Sequence, residues 1–128
     1  MDISFVIITG GAKPDHIKRL LLSIRKQNIE NFESIIVGKV DNLSIDLFSL
    51  GLSAPQTNTI KTIEANEAAK NGELGVMRNI GCKNAIFDNI VILDDDLLLT
   101  KDWYKNLLKF NKNSEDYDIL TCQIRVPD

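Results

Sequence analysis

The chain has 128 residues with 15 Lys and Arg, 18 Asp and Glu and one His, a net charge of −3, and hydrophobic and charged residues make up 44% and 26% of it. Such values exclude intrinsic disorder and fibrous architecture, and a chain of this length forms one domain, residues 1–128, that buries a core without a disulfide or structural metal. The acidic balance argues against a nucleic-acid partner, because general affinity for phosphate backbones comes from clustered Lys and Arg.

Ile3–Ile8 is a nearly continuous apolar and β-branched run that stops at Gly10-Gly11, the pattern of a strand buried on both faces. Pro14 suits a first helical position and Asp15 a first turn, while Ile17, Leu20, Leu21 and Ile24 recur at helical spacing. Lys18, Arg19, Arg25 and Lys26 form the solvated face of that helix, and His16 also falls on its polar side. Ser34–Val37, closed by Gly38, is a second buried strand and completes a β-α-β unit. Leu43–Leu52 fits either a short helix or a strand, and Pro55 marks a loop. Thr59–Ile63 alternates with period two as a strand, followed by a polar, mobile loop from Glu64 to Gly75.

Val76–Asp88 reads as a helix with Met77, Ile80, Gly81 and Ala85 on one side, Gly81 permitting close packing. Ile90–Leu93 is a strand buried on both faces; Thr100 caps a helix whose inward stripe is Trp103, Leu107 and Phe110, and Asp118–Val126 is a final strand. Cys82 and Cys122 read as buried thiols in a reducing cytoplasm. No apolar run approaches the roughly 20 residues that cross a bilayer, and no basic segment precedes the first one, so neither a membrane span nor a signal peptide is expected.

Strands alternating with helices imply an α/β, Rossmann-like, mostly parallel sheet flanked by helices. Ligands of such sheets bind beyond the carboxyl ends of the strands, here Thr9–Lys13, Gly38–Asn42, Glu64–Arg78 and the residues after Leu93. Directly after Leu93 stand Asp94, Asp95 and Asp96. In an extended backbone Asp94 and Asp96 project to one side, and their repulsion in a crevice is relieved by protonation or by a cation, with Mg²⁺ or Mn²⁺ suiting hard oxygen ligands. The competing reading is an acidic turn that favours the following helix N-terminus. Arg78 opens a helix beside flexible glycines and suits either a diphosphate or a surface ion pair. Thr9, Gly10 and Gly11 either let a nucleotide approach the backbone or make a plain turn; neither the dinucleotide fingerprint nor the phosphate-loop pattern is present.

The order of these pieces resembles the nucleotide-binding half of GT-A glycosyltransferases, especially the inverting family two. The likeness rests on Phe5–Thr9, Leu20–Gln27 and Asn31–Val37, and more closely on Met77-Arg78-Asn79-Ile80-Gly81 with Asn84-Ala85, on Ile90–Asp96, and on Trp103 eight residues after Asp95. It implies a glycosyltransferase that binds a nucleoside-diphosphate sugar, UDP- or GDP-linked, through Mn²⁺ or Mg²⁺ at an Asp-x-Asp motif and passes the sugar to an acceptor the motifs do not name. Asp94 would contact the ribose or share the metal, Asp96 would bind the metal, Asp95 would help hold the nucleoside, and Arg78 would sit near the diphosphate. Two positions depart from the pattern. Thr9 stands where the family commonly has Pro, and Gly38 and Lys39 stand where it has acidic residues, one of which reads the base; Asp41 is the substitute after a local shift.

The family's catalytic base lies well beyond its Asp-x-Asp motif, whereas 32 residues follow Asp96, and Glu115, Asp116 and Asp118 precede the last strand in a turn. The base is therefore expected beyond residue 128, the chain reads as the N-terminal donor half of a longer transferase, and self-association through uncovered surface is expected. The alternative is a non-catalytic nucleotide-sugar-binding or interaction module. Ile90–Asp96 also resembles the first motif of haloacid-dehalogenase-like phosphatases, but it comes too late in the chain for that fold. A receiver domain would need paired acids after the first strand, and sugar nucleotidyltransfer a Gly-rich loop with Arg and Lys there.

Overall fold

A computed structural model of the chain describes residues 1–41, 43, 59–113, 116–122 and 124. The order is β1 (Ile3–Thr9), α1 (Pro14–Arg25), β2 (Phe32–Gly38), β3 (Ile60–Glu64), α2 (Asn66–Lys70), α3 (Leu74–Lys83), β4 (Asn89–Asp94) and α4 (Trp103–Asn113). The four strands form one sheet in the order β3-β2-β1-β4, every pair parallel, as the alternating pattern predicts.

β1 lies inside the sheet, with Ile7 level with Ile36 of β2 on one edge and Leu93 of β4 on the other. Its side chains alternate between two apolar layers. Ile3, Phe5 and Ile7 join Ile17, Leu20, Leu21 and Ile24 of α1 and Ile36 and Leu93 in the larger layer, against which Trp103 and Leu107 of α4 pack. The Trp103 ring lies 5.8 Å from that of Phe5, so it serves the core, as its helical spacing predicts. On the opposite face Ile8, Ile35, Val37 and Met77 form the second layer under α2 and α3. A Cβ on Gly81 would collide with Val6 Cγ1, so the absent side chain is what seats α3 on the sheet, as expected of that glycine.

A buried polar network ties these layers together. Glu33 of β2 is 2% exposed, and its Oε2 accepts hydrogen bonds from Ser4 Oγ (2.6 Å) and the Ile86 N–H (2.7 Å). Lys61 Nζ of β3 stands 2.8 Å from Oε1, and the Phe87 N–H donates to Ser4 Oγ at 3.1 Å. Three neighbouring strands and the turn before β4 thus converge on one carboxylate. Burial alone would raise the Glu33 pKa, but the Ile86 N–H, the Lys61 ammonium and the Ser4 hydroxyl outweigh it and hold the carboxyl below its ordinary value.

A second tie fixes the chain after β4. The Leu99 N–H donates to Ser23 Oγ (3.1 Å), Gln27 Nε2 donates to the Thr100 carbonyl (2.8 Å), and Gln27 Oε1 accepts from the Tyr104 N–H (2.9 Å). α4 starts at Trp103, so Thr100 does not stand at its N-cap; it contributes its carbonyl, while a first-turn N–H is satisfied by Gln27 from α1.

Several expectations are corrected. The stretch read as a loop from Glu64 to Gly75 contains α2, whose Ala68 and Ala69 pack on the second layer. α3 begins at Leu74 and ends at Lys83, short of Asp88, because the chain must turn at Asn84–Ala85 to enter β4. β4 is buried on one face only: among the described residues it pairs only with β1, and Ile90 and Ile92 are 39% and 45% exposed. Phe110 turns out of the core and packs its ring 5.4 Å from Tyr117. The final strand does not form over residues 118–122 and 124, where no strand among the described residues supplies a ladder, and the rest of Asp118–Val126 lies outside the described residues. Cys82 is half-buried and Cys122 exposed, both as free thiols, and His16 is half-buried. Leu43 is buried; the other residues of Leu43–Leu52, and Pro55, lie outside the described residues.

Replacing Glu33 by Ala is expected to cost about 3 kcal/mol in urea unfolding at neutral pH, since it takes the acceptor from the Ser4 hydroxyl proton and the Ile86 N–H and the partner from Lys61. Because the folded-state pKa of Glu33 lies below the unfolded value, its contribution is fully present above the ordinary carboxylate range and is lost as pH falls through the folded value. Glu33→Gln should therefore narrow the stability gap between neutral and acid pH; an unchanged gap would show that the network does not hold the charge.

Candidate functional site

β2 and β4 flank β1 on opposite edges, so the chain first crosses to one side of β1 and later arrives on the other. The carboxyl ends of β1 and β4 are the switch point where such sheets open a crevice. A cavity of about 240 Å³ lies there, lined by Ile8, Thr9, Gly10, Leu74, Met77, Asp94, Asp95 and Asp96.

The carboxylates reach this cavity by a different geometry from that expected. β4 ends at Asp94 and the chain turns at Asp95–Asp96, with the Leu97 N–H donating to the Asp94 carbonyl at 3.3 Å. A turn, and not the pleat of an extended strand, brings Asp94 and Asp96 to the same opening. Thr9 Oγ1 donates to Asp95 Oδ2 at 2.8 Å and accepts from the Gly11 N–H at 3.0 Å. Arg78 Nη2 stands 3.5 Å from Asp94 Oδ1, a loose, solvent-screened pair.

Close backbone packing holds the two loops beneath the cavity. Gly38, at φ +133°, has no room for a side chain, since a Cβ would land on the Thr9 carbonyl oxygen. Gly11, at φ +77°, lies over the Lys39 carbonyl, where a Cβ would stand 2.9 Å from the oxygen, and the Lys39 N–H donates to the Thr9 carbonyl at 3.2 Å. At Gly11 both the conformation and the neighbour require glycine, whereas Gly10 has open space around its Cβ position.

Of the residues singled out in the sequence, Thr9, Gly10, Asp94, Asp95 and Asp96 line the cavity, Gly11 supports it, and Arg78 borders it through Asp94. Asp41 does not join them: it is an exposed turn residue beyond β2. Asp116 and Asp118 are exposed beyond α4, and Glu115 lies outside the described residues. Sequence reasoning missed Leu74 as a wall of the cavity, because its place at the start of α3 follows from where α2 ends, and it assigned Ile8 and Met77 to the core alone.

The metal proposed from sequence can be tested against this donor set. Among the described residues no three His, Cys, Asp or Glu side chains converge as a cage. Two carboxylates at an open cavity nevertheless fit Mg²⁺ or Mn²⁺ completed by phosphate and water oxygens, as these ions usually bind.

An open parallel α/β sheet with its crevice between β1 and β4 defines a class of folds in which that crevice takes the ligand. A crystal structure of S. aureus TarS 1-349 shares the fold, with a TM-score of 0.65 and 22% identity over 88% of this chain and 32% of that one. A second crystal structure, of TarS 1-349 in complex with UDP, matches with a TM-score of 0.64 and 23% identity over 88% and 32%. The model of the family described as glycosyl transferase family 2 matches residues 4–128, and the chain belongs to that family. It spans about a third of the length of these solved structures. No curated protein matches it.

Gly38→Ala should destabilise the protein by about 3 kcal/mol or more, through the strained φ and the collision with Thr9, which a urea titration would measure. An unchanged midpoint would mean that the β1 and β2 ends are not packed as described.

Proposed function

We propose that the chain is the donor-binding half of a glycosyltransferase and takes a nucleoside-diphosphate sugar into the cavity between β1 and β4. The observation that carries this reading is that the Asp94–Asp96 carboxylates and the glycine-bearing end of β1 line one opening at the switch point of the sheet. Membership of the family and the fold shared with a UDP-bound TarS support it, and they make a uridine nucleotide the first donor to try, with a guanosine nucleotide as the alternative.

Asp94 and Asp96 would hold Mn²⁺ or Mg²⁺. The ion supplies Lewis-acid stabilisation of the charge on the departing diphosphate. Around it, the start of α3 borders the cavity through Leu74, so the positive end of that helix dipole lies near the opening and favours an anion there. Arg78, loosely paired to Asp94, is free to swing to a diphosphate oxygen, where its planar guanidinium binds two oxygens at once. Thr9, Gly10 and Asp95 face the nucleoside. Asp41, the substitute base reader expected from the sequence, is an exposed turn residue and not one of those lining the cavity, so this reading gives it no part.

The acceptor and the catalytic base belong, in this reading, to residues beyond 128. Residues 1–128 by themselves then bind donor without efficient transfer, and robust sugar transfer by them would overturn the assignment. Cys82 and Cys122 are free thiols, and among the described residues no helix is long and apolar enough to cross a membrane.

Calorimetric titration of UDP, GDP and their sugar conjugates with Mn²⁺, with EDTA and with an Asp96→Asn variant tests the site. One nucleotide should bind with metal and lose at least about tenfold in affinity, roughly 1.4 kcal/mol, in EDTA or in the variant. Equal binding in all three conditions would remove the metal from the site. No binding by any nucleotide, repeated on a longer natural chain, would remove the donor reading.

Ile90 and Ile92 on the uncovered face of β4 extend the proposal to self-association of residues 1–128. Light scattering should show mass rising with concentration, whereas a monomer throughout would refute it.

A further inference from the structure

Three adjacent carboxylates at one opening repel one another, and a site that uses two of them for a cation must keep the third from competing. The structure holds Asp95 apart from its neighbours. Thr9 is 2% exposed, and its hydroxyl gives its single proton to Asp95 Oδ2 at 2.8 Å while accepting the Gly11 N–H at 3.0 Å. A hydroxyl with only one proton cannot serve another acceptor, so its direction is set by these two partners. The bond to a carboxylate is charge-assisted and joins residues 86 apart in the chain, crossing from the end of β1 to the turn after β4.

The Thr9 backbone is equally constrained. Its carbonyl accepts from the Lys39 N–H and occupies the space that a Cβ on Gly38 would take. The hydroxyl is thus presented from the rigid end of a buried strand to a carboxylate on an otherwise solvent-facing turn. Asp94 and Asp96, by contrast, are exposed and have no comparable anchor from β1.

From this we propose that Thr9 is a positioning residue of the donor site: its hydroxyl ties Asp95 back against β1, fixes the Asp94–Asp96 turn, and leaves Asp94 and Asp96 to the cation. The proposal rests on the donor reading above and gives Thr9, already a lining residue, a role exerted through Asp95 without touching the reacting atoms. Thr9→Val, nearly isosteric but without the hydroxyl, releases the turn; Thr9→Ser retains the bond.

The test is a double-mutant cycle on metal-dependent nucleotide affinity, measured by calorimetry with UDP or GDP and Mn²⁺. Thr9→Val removes the bond to the Asp95 carboxylate and also the acceptor of the Gly11 N–H; it should weaken binding about tenfold, most of it from the charge-assisted bond, and Thr9→Ser should stay within about twofold. In an Asp95→Ala background Thr9→Val should cost no more than about threefold, the part that comes from the Gly11 N–H, a coupling that a role independent of Asp95 would not produce. If Thr9→Val fails to fold, Thr9→Ala removes the same hydroxyl while adding no methyl against Asp95. Wild-type affinity in the folded hydroxyl-free variant, or an equal loss with and without Asp95, would overturn the proposal. Absence of nucleotide binding by the wild type, in a longer natural chain as well, would instead sink the donor reading on which it rests.

Discussion

Because Ile3–Thr9 is hydrogen-bonded on both edges and covered on both faces, β1 can end at only one place, and the position of the candidate site follows from that. All seven residues of β1 are buried, its two polar side chains Ser4 and Thr9 are both hydrogen-bonded, and a slip by one would exchange the α1 layer for the α3 layer. Its last residue, Thr9, is consequently fixed between Gly38 of β2 and Asp95 beyond β4. The rigidity of the hydrophobic layers is transmitted to the polar opening through one hydroxyl and two close backbone contacts.

Glu33 plays the complementary role at the other end of the sheet. A carboxylate buried to 2% exposure would be costly alone, and it persists because β1, β3 and the turn before β4 each bring it a donor. Such a group contributes little to net stability compared with an apolar replacement, but it discriminates strongly among arrangements of its neighbours. The order β3-β2-β1, with the α3–β4 turn folded back over it, brings two hydrogen-bond donors to Oε2 and the Lys61 ammonium to Oε1. Gln27 serves similarly for the segment after β4, taking the place of a local cap on α4.

The sequence was most legible where one physical pattern dominated. Continuous β-branched runs before Gly10 and Gly38 marked β1 and β2, helical spacing marked α1, and Gly81 announced a close approach that Val6 completes. It misled where a partner decides the outcome. Ile90–Leu93 has the composition of a doubly covered strand, yet it lies at the edge of the described sheet with Ile90 and Ile92 open. Asp118–Val126 has strand composition and, in its described residues, no strand to pair with. Phe110 keeps the helical register of Trp103 and Leu107 but lies beyond the reach of the core, beside Tyr117. In each case local pattern states what a segment could bury, and the neighbour determines whether it does.

The candidate site divides the same way. By itself the sequence determined the parallel α/β architecture, the three carboxylates at the end of an apolar strand, and the resemblance to a family that the family match bears out. Those depend on short-range periodicity and on residue type, which are local quantities. Only the tertiary structure decided that Thr9 reaches Asp95, that Asp41 stays out of the cavity, and that a turn instead of a pleat presents Asp94 and Asp96 together. Such contacts join residues far apart in the chain, and their distances are set by how the sheet stacks its strands, which no local pattern encodes.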